Sequence, residues 1–150
     1  MEYNAISNLE QELLRVLKEE YSFYQSLYIL IDKQRDLLKF EKDDKLLDIY
    51  TEIERCHKRI IESENKVGAL QRDNPKLFPL AASAPEVKKV AQCIVTLVKK
   101  NMDLVRENEE YASSRYERLR TELKSLQQSS KLVQYIRDLD VTPQFVDRKN

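Results

Sequence analysis

Glycine and proline are scarce in this chain, which has 1 Gly and 4 Pro among 150 residues. Average proteins use roughly 7% Gly and 5% Pro, and turns depend on both residues. A many-stranded sheet would therefore lack the residues that its hairpins need, and a glycine-rich phosphate-binding loop is excluded. Leu, Glu, Lys, Arg and Gln, which favour helices, are abundant instead. The composition predicts an all-α fold.

The chain also lacks an excess of charge of one sign. Its 26 Lys+Arg balance its 26 Asp+Glu, which gives a formal net charge of +0. General binding to nucleic acid or to an acidic membrane draws its affinity from a field of one sign, so the balance disfavours both. No stretch approaches the 18 consecutive apolar residues of a membrane span, and the first residues do not resemble a signal peptide. We expect no membrane span and a cytoplasmic protein.

Residues that carry chemistry are few, with 2 Cys and 1 His. Cys56 and Cys93 are predicted to be free, semi-buried thiols. Glu54 and His57 have the Glu-x-x-His spacing of di-iron bundles, but such a site needs a second motif and further glutamates. A zinc site from both cysteines and His57 would lack a fourth ligand. A single histidine also leaves nucleophilic catalysis without its usual base and orienting group. We predict no enzyme activity, no catalytic residue, no cofactor and no metal.

Apolar residues recur at spacings of three and four, the period of one helical face. A capping box at Ser7-Asn8-Leu9-Glu10 predicts the start of a first helix over residues 8–40. A polar turn at Asp43-Asp44 leads to a second helix over 44–69, which Gly68 is predicted to end as a C-terminal cap. Two helices joined by a short turn form an antiparallel hairpin, here 8–69.

A loop over residues 70–83 follows, and its prolines break the helical period. Leu77, Phe78 and Leu80 are predicted to lie on the bundle or to contact a partner. A second capping box, Ser83-Ala84-Pro85-Glu86, predicts a third helix over 84–126. The polar run 127–130 (Gln-Gln-Ser-Ser) predicts a break, followed by a C-terminal amphipathic segment and tail over 127–150. The predicted architecture is a single domain, an elongated, coiled-coil-like antiparallel bundle of three long helices.

The apolar pattern of the third helix extends further than the hairpin can cover. Residues 76–150 are mildly basic, with 14 basic and 10 acidic side chains, so acidic partner helices would be attracted to them. We predict that this region binds a partner; the alternative is that the third helix packs entirely within its own core. The predicted partner-binding residues are Leu119, Leu123, Leu126, Leu132, Val133, Tyr135 and Ile136.

The segment 9–67 contains Leu13-Leu14, Glu19-Glu20-Tyr21, the run Lys33-Gln34-Arg35-Asp36-Leu37-Leu38, the polar turn Asp43-Asp44 and then Leu46-Leu47. Together with the closing Phe145-Val146-Asp147-Arg148-Lys149, it resembles the FlgN family of flagellar type III export chaperones. The resemblance implies a cytosolic protein that binds C-terminal helical segments of hook-filament junction proteins. Such a chaperone prevents their premature assembly and delivers them to the flagellar type III export gate.

Two other functions would use the same apolar helix faces. A homo-oligomeric coiled-coil scaffold would pair them with another copy, and a secretion chaperone for a non-flagellar substrate would offer them to a different partner. A scaffold predicts strict heptads over three or more repeats. Polar residues instead fall on or beside the seam, namely Glu20, Gln34, Asn101 and Asn108.

Overall fold

The computed structural model describes the backbone of residues 2–140 and the side chains of residues 3–128 and of Gln134. Four helices follow one another: α1 (Glu2–Lys39), α2 (Asp43–Asp73), α3 (Phe78–Ala82) and α4 (Pro85–Asp140). About 93% of the described residues are helical and none is in a strand, which confirms the all-α fold class. The chain separates into two compact units, Met1–Tyr111 and Ala112–Asn150.

Helix α1 begins before the predicted capping box. It starts at Glu2, so Ser7 lies inside the helix and does not cap it. The predicted start at residue 8 is therefore wrong. Because neither Gly nor Pro occurs before residue 40, nothing prevents the helix from extending towards the N-terminus.

The reversal between α1 and α2 is a Schellman-type turn with glutamate at the position that glycine usually takes. Glu41 has φ 55°, in the left-handed region. Its main-chain N donates to the Leu38 carbonyl oxygen at 3.3 Å, and the N of Lys42 donates to the Leu37 carbonyl oxygen at 2.8 Å. These two bonds satisfy carbonyl groups at the end of α1 that have no partner within the helix.

Gly68 does not end α2, which continues to Asp73. The cap is Asn74, whose main-chain N and side-chain Nδ2 donate to the Leu70 carbonyl oxygen at 3.1 and 3.0 Å. Glycine within a helix costs only about 0.5–1 kcal/mol relative to alanine. Val67 and Leu70 pack on the core on either side of it, and burial of side chains of this size outweighs that cost.

The loop predicted over 70–83 contains the five-residue helix α3. Ala81 is fully buried and Phe78 packs on the core, whereas Leu80 is 54% exposed. Helix α4 begins at Pro85, one residue after the predicted start, but the second capping box does not form. The Ser83 hydroxyl donates to the Leu80 carbonyl oxygen at 2.8 Å, and so points back to α3.

Helix α4 passes through residues 127–130 without interruption and reaches Asp140. The predicted break is therefore wrong. Gln is a good helix former and Ser a moderate one, so four such residues do not end a helix that contains neither Gly nor an internal Pro.

In the first unit, α2 runs antiparallel to α1. The Lys66 ammonium lies 3.1 Å from Glu19 Oε1, and the Cys56 thiol donates to the Phe23 carbonyl oxygen at 3.0 Å. Residue numbers that rise along α1 thus fall along α2. The Tyr24 hydroxyl, 3.5 Å from Glu64 Oε1, keeps this order relative to the pair Glu19–Lys66.

Helix α4 contacts α1 in the parallel sense. Asn101 Nδ2 donates to the Tyr24 carbonyl oxygen at 3.3 Å, and Asn108 Nδ2 donates to the Ile31 carbonyl oxygen at 3.1 Å. Both steps are seven residues, so the two helices keep a common heptad register through this contact. Asn108 Nδ2 also reaches Gln34 Oε1 at 3.0 Å.

Two apolar clusters form the core of the first unit. The buried members of one are Leu27, Ile31, Ile49, Ile53, Cys56, Ile60 and Leu104. The buried members of the other are Leu13, Leu14 and Val87. The first cluster takes buried residues from α1, α2 and α4. The second takes buried residues from α1 and α4, and Val67 and Leu70 of α2 pack against it. Both clusters therefore extend across these three helices.

Buried polar residues occupy the interval between the two clusters on α1, α2 and α4, namely Glu20, Ser63 and Asn101. All three are at most 8% exposed, and neither Ser63 Oγ nor Asn101 Oδ1 has a hydrogen-bond partner. Burial, followed by the charge of Glu64, raises the pKa of Glu20. Burial likewise raises the pKa of Tyr24 to about 12. The sequence pattern puts Glu20 and Asn101 on or beside the apolar seam, and both are buried in the structure.

Candidate partner-binding surface

Four exposed apolar side chains lie along one face of α4 in the second unit. Tyr116 is 63% exposed, Leu119 50%, Leu123 56% and Leu126 67%. Their spacings of three, four and three are those of the a and d positions of a heptad, which share a helix face. We call these four residues the α4 stripe. A run of large apolar side chains at this exposure is typical of a surface that another helix covers.

Polar interactions within α4 support this segment of helix. Arg120 Nη1 lies 4.0 Å from Glu117 Oε1, and the Thr121 hydroxyl donates to the Glu117 carbonyl oxygen at 3.0 Å. The side chains of Arg120 and Glu117 are more than two-thirds exposed. An exposed pair of this kind contributes about 0.3–0.5 kcal/mol, so Arg120 can exchange it for a partner carboxylate at little cost.

The stripe contains three of the residues predicted from the sequence, Leu119, Leu123 and Leu126. The other four predicted residues fall on helix α4, but their side chains lie outside the described residues: Leu132, Val133, Tyr135 and Ile136. The prediction omitted Tyr116. Its position three residues before Leu119 continues the same heptad, and this spacing is the signal that could have identified it.

The segment around the stripe is mildly basic. Residues 112–128 contain four basic and two acidic side chains. With Tyr116 at an a position, Arg120 falls at the flanking e position and Arg115 at g. In a parallel pair of identical helices these two arginines would face each other and repel, whereas an acidic partner would attract both.

The catalytic and metal candidates of the sequence lie on α2 and α4. Glu54 and His57 are exposed on α2, whereas Cys56 is buried with its thiol directed at the Phe23 carbonyl oxygen. Burial raises the pKa of the Cys56 thiol, which suits a structural cysteine better than a nucleophile. Cys93 is free but exposed, so the prediction that it is semi-buried is wrong. Over the described residues, no group of three or more His, Cys, Asp or Glu is placed to hold a metal ion.

Within residues 2–140, no helix combines the length and apolarity that crossing a membrane requires. No protein family, curated protein or solved structure matches the chain.

Proposed function

We propose that this protein is a cytoplasmic export chaperone of the FlgN type. It binds C-terminal helical segments of flagellar hook-filament junction proteins, prevents their premature assembly and delivers them to the flagellar type III export apparatus. The resemblance over residues 9–67 names the family. The observation that supports a helix-binding role is the α4 stripe, in which every side chain is at least half exposed.

The proposed architecture is an elongated, coiled-coil-like antiparallel bundle of three long helices, α1, α2 and α4. The antiparallel α1–α2 contacts and the parallel α1–α4 contacts support it. In this arrangement one face of α4 packs on α1 through Asn101 and Asn108, and a different set of positions is left for a partner.

The stripe suits a chaperone because a segment destined to coil against its neighbours in a filament has an apolar face that must be covered. A helix with apolar residues at a and d positions covers such a face by the packing that the filament would use. The surface offered by residues 116–126 spans three helical turns, about 15 Å at 1.5 Å per residue. So small a contact can be released, as delivery requires.

The test is a pair of variants with opposite expectations. Leu119→Glu/Leu123→Glu places two charges in the stripe, and Leu47→Glu places one at a 75% exposed position on α2. C-terminal peptides of hook-filament junction proteins, titrated by fluorescence anisotropy, should bind the first variant at least tenfold more weakly, about 1.4 kcal/mol. Leu47→Glu should bind them as the unmodified chain does. If the peptides bind the unmodified chain and both variants with equal affinity, the α4 stripe is not their binding surface.

A truncation tests the remaining predicted residues. Deleting residues 127–150 should leave helicity and thermal unfolding nearly unchanged while weakening peptide binding at least tenfold. A loss of several kcal/mol of stability would instead assign this segment to the core. Unchanged binding would show that this segment does not bind the peptides, and the binding surface would then be sought on the α1–α2 hairpin.

The heptad spacing of the stripe also favours a second function, a homo-oligomeric coiled-coil scaffold. Sedimentation equilibrium separates the two. A scaffold is an oligomer that the Leu119→Glu/Leu123→Glu variant converts to a monomer, whereas the chaperone changes its peptide affinity without a change of mass. A secretion chaperone for a non-flagellar substrate would keep the mass of a monomer and fail to bind the junction-protein peptides.

A further inference from the structure

An open groove lies between α1 and α2 in the first unit, far along the sequence from the α4 stripe. Its volume is about 310 Å³, at the small end of the range of about 300–1,000 Å³ found for ligand sites. Phe23 and Leu30 from α1 and Cys56 from α2 form its apolar lining, and Ile29, 55% exposed, stands at its edge.

Two arginines border this groove on α2. Arg55 and Arg59 are one helical turn apart and both are exposed. The guanidinium of Arg59 lies over the Phe23 ring, 6.0 Å from its centroid, a geometry in which a cation and an aromatic face attract each other. Within the described part of the chain, neither arginine forms an ion pair. Glu52, one turn before Arg55, is the single acidic residue that lines the groove.

The groove therefore combines an apolar floor with an excess of positive charge along one edge. We propose that it is a second docking site, which takes an acidic amphipathic helix of another protein. One or two apolar side chains of that helix would fill the groove, and carboxylates on its flank would pair with Arg55 and Arg59.

The dimensions favour a short helical contact. The lining residues span Phe23–Leu30 on α1 and Glu52–Arg59 on α2, two turns of each helix and about 10 Å in length. Apolar residues four apart on a partner helix lie on one face about 6 Å apart, so two of them fit within this length. Guanidinium groups form paired hydrogen bonds with carboxylates, which gives the acidic flank a defined position.

The proposal does not depend on the chaperone function. It adds a surface, on helices other than α4, through which a protein occupied at the α4 stripe could still be recognised. Different residues carry the two sites, so either can fail without the other.

The experiment pans a display library of amphipathic helical peptides against the full chain, with acidic and basic flanks equally represented. Enriched peptides should have acidic flanks and apolar residues four apart. Their affinity should fall at least tenfold in Arg55→Glu/Arg59→Glu and several-fold in the charge-neutral Arg55→Gln/Arg59→Gln. Lys58→Glu is the matched control, because Lys58 is exposed on the same helix and does not line the groove; it should change affinity by less than twofold.

Three outcomes would overturn the proposal. Enrichment of basic or neutral peptides would remove the electrostatic argument, and equal losses in the arginine variants and in Lys58→Glu would show a general charge effect. Binding abolished by Leu119→Glu/Leu123→Glu, but unchanged in the arginine variants, would place the peptides on the α4 stripe. Circular dichroism of each variant confirms that the helices are intact before affinities are compared.

Discussion

The side-chain amide of Asn108 on α4 donates a hydrogen bond of 3.1 Å to the main-chain carbonyl oxygen of Ile31 on α1. Asn108 is 5% exposed, and its Oδ1 has no partner. One half of the amide is thus satisfied by the neighbouring helix while the other half is buried without compensation. A buried polar group at a coiled-coil position fixes register at a cost in stability.

Two substitutions at Asn108 separate the contribution of its hydrogen bonds from the cost of its buried, unpaired Oδ1. Asn108→Ala removes the bonds to Ile31 and Gln34 and leaves space behind, so we expect a loss of about 1–3 kcal/mol. Asn108→Leu removes the uncompensated Oδ1 and fills the space, so its stability should equal or exceed that of the unmodified chain. Urea unfolding followed by circular dichroism measures both. A Leu variant as unstable as the Ala variant would show that the hydrogen bond outweighs the buried Oδ1.

Glu20 makes the stability of the first unit depend on pH. Its pKa is raised in the folded chain, chiefly by burial and then by Glu64, so the folded state holds this proton more tightly than the unfolded state. The folded state is therefore favoured at low pH, and this contribution is lost as pH rises from the ordinary value of 4.5 through the raised pKa. Glu20→Gln, which carries no charge, should be more stable than the unmodified chain at pH 7.

The advantage of Glu20→Gln should shrink as pH falls towards 4, because Glu20 itself becomes neutral there. Glu62→Gln is the control, since Glu62 is exposed on α2; it should show no comparable gain at pH 7. Urea midpoints measured from pH 4 to pH 8 provide the comparison. A gain for Glu20→Gln that is the same at every pH would assign the effect to something other than the carboxylate.

Gly68 is a position where the chain can be stabilised. It lies within α2, has an ordinary helical φ, and a Cβ added there would have no atom within 4 Å. Gly68→Ala should therefore raise the free energy of unfolding by about 0.5–1 kcal/mol. Gly68→Pro should lower it by about 3 kcal/mol, because the ring clashes with the preceding turn. A destabilised Ala variant would contradict this prediction and show that the added methyl group is not accommodated at this position.

His57 should have no structural or catalytic role. Because it is exposed on α2, we expect His57→Ala to change stability by at most about 0.5 kcal/mol. Ile53→Ala, one turn earlier in the core, should cost about 2–5 kcal/mol. Metal analysis of the purified protein should find no stoichiometric iron or zinc. One or two equivalents of bound metal would contradict the prediction that the protein is not an enzyme.

Composition and periodicity alone determine the helical class, the presence of a short reversal between two helices near residue 40 and the heptad spacing of Leu119, Leu123 and Leu126 in the α4 stripe. These features are local: scarce Gly and Pro leave helices uninterrupted, and spacings of three and four place side chains on one face whatever surrounds them. The polar positions Glu20, Asn101 and Asn108 could also be recognised, because they interrupt an apolar seam.

Only the tertiary structure decided which local signals prevail. Ser7 and Gly68 have the residue types of helix ends, yet both lie inside helices, because continued packing outweighs costs of about 1 kcal/mol. Burial cannot be inferred from an apolar period alone: Leu104 and Leu119 both belong to regular patterns on α4, but Leu104 is buried in a cluster with residues of α1 and α2, whereas Leu119 is 50% exposed. The groove beside Arg55 and Arg59 likewise exists only because two helices distant in sequence lie side by side.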